Sequence, residues 1–117
     1  MTTREIAEAF CALLKAGRHE EAAAEFNAED IVSHEAMEGP MARLEGKAAV
    51  KGKSDWWYAN HEWHGGGAEG PFVNGDRFAV IFDMDVTAKE TGQRVQMREV
   101  GLYTVRDGKI VEERFFY

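Results

Sequence analysis

The chain carries helical periodicity in its first half and strand periodicity in its second. Ile6, Ala9, Phe10, Leu13 and Leu14 recur at the i, i+3, i+4 spacing of one buried helix face. Thr2 and Glu5 stand where a capping box would open that helix, each side chain satisfying a backbone N–H left free at the helix end. Gly17 predicts its stop, because glycine takes the left-handed conformation without strain. A short second helix is expected over roughly His19 to Phe26, with Ala22, Ala23 and Phe26 on one side. Asp30 to Met37 is short and mixed, and reads as a strand running into the Gly39-Pro40 break. A third helix is expected over roughly Lys47 to His61, since Val50, Trp57, His61 and His64 keep helical spacing. Gly52 inside it costs about 1 kcal/mol of propensity.

From Gly65-Gly66-Gly67 onward the period changes to two. A strand through Phe72 and Val73 meets Asn74-Gly75, a hairpin signal. Phe78, Val80, Phe82, Met84 and Val86 then alternate with a second set that includes Asp83 and Asp85. After a turn at Thr91-Gly92, Val95, Met97, Glu99, Gly101, Tyr103 and Val105 share one strand face. Asp107-Gly108 turns the chain again, and Lys109 to Tyr117 is the last strand. Helices followed by an antiparallel meander predict an α+β domain with the helices on one sheet face.

Composition narrows this picture. The chain has 117 residues, 44% hydrophobic and 30% charged, with a formal net charge of −7. That length predicts a single domain over residues 1–117, and no Pro/Gly/Ser linker divides it. No apolar run approaches the roughly 20 residues of a membrane span, so no membrane partner is expected. The N-terminal residues lack a basic region followed by an apolar stretch, so no signal peptide is expected. The single cysteine, Cys11, excludes an internal disulfide and a multi-cysteine zinc site, and a cytoplasmic setting is expected. The acidic balance argues against a nucleic-acid partner, which needs a positive field. With no phosphate-binding glycine loop and no HExxH spacing, no cofactor and no metal are expected.

Four stretches carry a resemblance: ALLKAGRHEEAAAEF, DIVSHEAMEG, EGKAAV and above all YTVRDGKIVEERFFY. Together they resemble the SnoaL-like family, a branch of the nuclear transport factor 2-like superfamily that also contains ketosteroid isomerases. The resemblance covers nearly the whole chain. It implies a cone-shaped, strongly curved, mainly antiparallel sheet wrapped around three N-terminal helices, with a pocket between them. It also puts Glu35 where the isomerases keep their carboxylate base. The positions of the isomerases' two oxyanion donors hold Phe10 and Gly101, and neither side chain donates a hydrogen bond.

These readings predict a closed pocket for a small apolar molecule, lined by Phe10, Trp57, Phe82, Met97, Tyr103, Phe115 and Tyr117, with Glu35 and Glu99 as its ionisable groups. Glu99 sits among apolar strand neighbours, which raises a carboxyl pKa. If the pocket is catalytic, Glu35 takes a proton α to a carbonyl, and Tyr103 or protonated Glu99 stabilises the enolate oxygen. The alternative is a binder, or a structural dimer module, without turnover. Glu113 belongs with the same group if the last strand turns it inward. Lys51 and Lys53 read as a solvated helix face, and Asp83 and Asp85 as outward carboxylates paired with basic neighbours. Val100, Leu102 and Ile81 lie on the opposite sheet face, which predicts a homodimer.

Overall fold

Thr2 starts the first helix in the computed structural model, which describes residues 1–117. The Thr2 hydroxyl accepts from the Glu5 backbone N–H at 3.1 Å, and the Glu5 carboxylate accepts from the Thr2 N–H at 2.9 Å. This reciprocal cap opens α1 (Thr3–Lys15), which buries Ile6, Ala7, Phe10, Cys11 and Leu14. There follow α2 (His19–Phe26), β1 (Asn27–His34), β2 (Arg43–Glu45) and α3 (Lys47–Asn60). Four long strands complete the chain: β3 (His61–Asn74), β4 (Arg77–Ala88), β5 (Arg94–Arg106) and β6 (Lys109–Phe116).

The strands form one sheet in the order β2-β1-β6-β5-β4-β3, and it is curved but not closed. Every neighbouring pair is antiparallel except β1 and β6, which run parallel. Irregularities in β3, between Trp63 and Gly65 and between Glu69 and Phe72, add local bend and twist. Helix α1 packs on β3 and β4, and α3 on β1 and β3. The fold is therefore the expected α+β arrangement of three helices against a mainly antiparallel curved sheet.

The apolar set of β4 forms the floor of the core, with Phe78, Val80, Phe82 and Val86 buried. Phe10 of α1 meets Phe26, Phe78 and Tyr103 edge-on, with centroids 6.2, 5.8 and 5.1 Å away. Such edge-to-face pairs each add about 0.5–1.5 kcal/mol beyond the area they bury. Register then sets up the site. Ser33, Glu113, Tyr103 and Phe78 are successive partners in one row across β1, β6, β5 and β4. Four residues back along β5, Glu99 lies opposite Phe82.

Several boundaries differ from the sequence expectation. β1 begins at Asn27 and ends at His34, earlier than expected, and β2 is a short strand that the pattern did not signal. Helix α3 ends at Asn60, so His61 and His64 lie on β3 rather than on the helix. The glycine run is part of β3 and not a lead-in to it. A Cβ on Gly66 would sit 2.2 Å from the Asp83 carbonyl oxygen and 2.7 Å from the Trp63 ring, so glycine is required where that ring folds over the strand.

Candidate functional site

A cavity of about 600 Å³ lies between the helices and the concave side of the sheet. Phe10, Glu35, Trp57, Phe82, Met97, Glu99, Tyr103, Phe115 and Tyr117 line it. Lys53, Glu113, Trp63 and His19 line it as well. Helix α1 supplies the apolar wall, α3 supplies Lys53 and Trp57, and the long strands supply the acids.

The polar end is organised around Lys53. It is not on a solvated face: only 12% of its side chain is exposed, because this side of α3 packs against β1. Lys53 Nζ donates to Ser33 Oγ at 2.6 Å and to Glu35 Oε1 at 2.8 Å, and lies 3.7 Å from Glu113 Oε2. Ser33 Oγ in turn donates to Glu113 Oε2 at 2.8 Å. Tyr117 donates its hydroxyl to Glu35 Oε2 at 2.9 Å, so both oxygens of Glu35 are engaged. The Lys53 ammonium also sits 5.3 Å from the Phe115 ring centroid, within cation–π range. Burial pushes the Glu113 carboxyl pKa up, against the pull of Lys53 and Ser33. Burial and the Glu35 hydrogen bond push the Tyr117 hydroxyl up to about 12.

Glu99 differs from the other two acids. No hydrogen bond or ion pair within the chain holds its carboxyl. Burial, then the neighbouring Glu35 charge, pushes its pKa up to about 7, with Lys53 pulling the other way. Tyr103, four residues along, is buried, and burial lifts its hydroxyl well above the ordinary tyrosine value. The phenol therefore stays protonated at neutral pH and is a donor. Gly101 between them gives it room. A Cβ there would lie 3.0 Å from both the Tyr103 ring edge and its hydroxyl, and 3.1 Å from Phe82.

The opposite end is aromatic. Trp57 stacks on His61 with centroids 4.5 Å apart and meets Trp63 edge-on at 6.5 Å, and His19 lies 6.5 Å beyond Trp63. Trp56, Tyr58, Trp63 and Met37 are exposed here, so the cavity opens to solvent and is not the closed pocket expected. His61 and His64 bond separate partners. His61 donates to the Trp57 carbonyl at 2.8 Å, and His64 bonds Thr87 Oγ1 at 2.6 Å. Asp85 and Asp83 pair with Arg94 and Arg98, at 2.8 and 3.8 Å.

Sequence reasoning missed Lys53 and Ser33, and left Glu113 to the direction of the last strand. Lysine on a surface helix is solvated by default, and nothing local marks the exception. A weak signal for Glu113 was present: it stands two residues before Phe115 on a strand of period two.

The family model of the SnoaL-like domain matches residues 1–117. The chain belongs to the SnoaL-like domain family. This SnoaL-like domain is 62% identical to a Mesorhizobium loti protein, with full coverage of both chains and a TM-score of 0.98. That protein is described as a SnoaL-like polyketide cyclase, with carbohydrate phosphatase beside it. A Xanthomonas campestris protein of unknown function with a cystatin-like fold is 22% identical over 99% of this chain and 90% of its own, at a TM-score of 0.79. A Bacillus subtilis protein described as an isomerase is 22% identical over 98% of this chain and 88% of its own, at 0.75. The last two show a shared fold alone. No curated protein matches the sequence.

Proposed function

We propose that this SnoaL-like domain takes a small, mostly apolar carbonyl compound into its cavity and moves a proton on it without a cofactor. The observation that carries the reading is Glu99. It is a carboxyl lining the cavity, pushed up to about 7 and engaged by no other side chain. A group with that pKa is divided between acid and base at neutral pH, so it can take a proton and return it. Glu35, the expected base, has both oxygens held by Lys53 and Tyr117, which favours Glu99 for the transfer itself.

The Glu99 carboxylate takes a proton α to the carbonyl, and the C–H electron pair becomes the C=C of an enolate whose oxygen carries the charge. The Tyr103 hydroxyl donates a hydrogen bond to that oxygen. The enolate carbon then bonds a second carbonyl carbon of the same ligand, closing a ring whose new alkoxide takes the proton back from Glu99. Alternatively, where the ligand carries a β,γ double bond, the enolate is a dienolate, and Glu99 returns the proton to its γ carbon and leaves the conjugated isomer. The description of the Mesorhizobium loti relative as a polyketide cyclase favours ring closure.

A binder without turnover is the second reading. It is favoured by the engagement of both Glu35 oxygens and by Phe10 and Gly101 at the isomerase donor positions. We place either function in a homodimer formed through the outer sheet face, where Ile81 is paired with Val100, and Val100 with exposed Phe116.

A thermal-shift screen of small ketones, lactones and steroid-like compounds, followed by turnover assays on the hits, tests these readings. Turnover that falls about 10²–10⁴-fold in Glu99→Gln is expected for the enzyme. Ligands that stabilise the protein but react no faster than in buffer leave the binder. No stabilisation by any of them defeats both.

A further inference from the structure

Three carboxyls and one ammonium meet at the polar end of the cavity. The donors present there are the Lys53 N–H groups, the Ser33 hydroxyl and the Tyr117 hydroxyl. Lys53 donates to Ser33 and Glu35, Ser33 donates in turn to Glu113, and Tyr117 donates to the far oxygen of Glu35. The chain of donors therefore ends on Glu35 and Glu113, and none reaches Glu99. The two helix lysines show that this is a matter of placement. Lys51, one half-turn away, has its side chain 59% exposed and pairs with Asp55 in solvent, whereas Lys53 is held at 12% exposure between β1 and β6.

We propose that Lys53 is a positioning residue, which ties Glu35 and Glu113 into one fixed pair and so leaves Glu99 as the single carboxyl free to turn to a ligand. The inference rests on the reading of Glu99 as the group that meets the ligand. It adds that the division of labour among three similar acids is imposed from outside their strands, by a cation on α3. Removing the ammonium would leave Glu35 and Glu113 with one hydroxyl donor each, beside a third acid. With the cation gone nothing offsets the neighbouring carboxyls, so Glu99 would hold its proton to higher pH.

The groups that act on Glu99 are Glu35 beyond β1, Lys53 on α3 and Glu113 on β6. Tyr117 beyond β6 and Tyr103 on β5 also lie within its electrostatic reach. Across the sheet on β4 its partner is the uncharged Phe82.

Carbon-13 NMR of the glutamate carboxyls in the full chain reads this directly, with the Glu99 resonance assigned by its loss in Glu99→Gln. Lys53→Met is expected to raise the Glu99 midpoint by about one pH unit or more, the size of shift a nearby charge produces. Lys53→Arg keeps the charge and is expected to return the midpoint towards wild type. A folded Lys53→Met protein whose Glu99 midpoint equals that of wild type overturns the proposal, since a brace that only packs would change stability and not this titration. If Lys53→Met does not fold, Glu35→Gln decides. It removes a negative neighbour and frees Lys53, so the Glu99 midpoint falls; an unchanged midpoint overturns the proposal equally. No ligand enters the experiment, so an empty ligand screen leaves the role of Lys53 standing, and a flat titration leaves the pocket chemistry standing.

Discussion

Replacing Glu99 with glutamine removes a carboxyl that the fold holds against ionisation. Its pKa is about 7 in the folded protein against a reference of 4.5, a gap of about 2.5 units. At 1.36 kcal/mol per unit, this gap is worth about 3 kcal/mol when fully expressed. The folded chain binds this proton more tightly than the unfolded chain. The contribution is therefore fully present below the unfolded pKa, near 4.5, and is lost as pH rises through 7. Between pH 5 and 8 the wild type should lose about 2–3 kcal/mol that Glu99→Gln does not lose, nearer 2 because part of the carboxyl meets water. Urea unfolding of both proteins at the two pH values, read by tryptophan fluorescence, measures it. Taking the difference between the proteins cancels other titrating groups, such as buried Glu113 and His19, whose pKa desolvation pushes down. A difference below about 0.5 kcal/mol, the scatter of an inert surface substitution, would refute the placement of Glu99 in a desolvated site.

Two further outcomes are expected. Tyr103→Phe should lower turnover of any reacting ligand about 10²–10³-fold, as removal of an oxyanion donor does. It should change stability little, because the hydroxyl bonds nothing within the chain; undiminished turnover would remove Tyr103 from the reaction. Light scattering at micromolar concentration should give twice the 13.1 kDa chain mass, and a value of one chain mass would rule out the outer-face dimer.

The parts of this fold that were legible in the sequence are those where local pattern and tertiary burial agree. Thr2, Glu5 and the Ile6–Leu14 stripe specify α1 without reference to anything else. The period of two in β4 and β5 sorts Phe82, Glu99 and Tyr103 onto one face independently of any packing. The junction of α3 with β3 was not legible, since Trp57, His61 and His64 satisfy helical spacing by coincidence while Trp63 folds over Gly66 in a strand. Lys53 was not legible for a different reason. Its partners Ser33, Glu35 and Glu113 lie 20, 18 and 60 residues away, and only the parallel pairing of β1 with β6 brings them together.

Gly101 and Tyr103 together occupy one compartment with room for one large side chain. The Tyr103 ring and hydroxyl already fill the space a Cβ at position 101 would enter, with Phe82 closing the other side. The two positions are therefore not independent in any redesign or in any lineage that exchanges one donor for another. An acid placed at 101 while Tyr103 remains must displace the phenol, and shrinking Tyr103 alone leaves a void beside Phe78, whose ring stacks on it at 5.0 Å. Only a paired exchange conserves the volume, so the effects of substitutions at the two positions do not add.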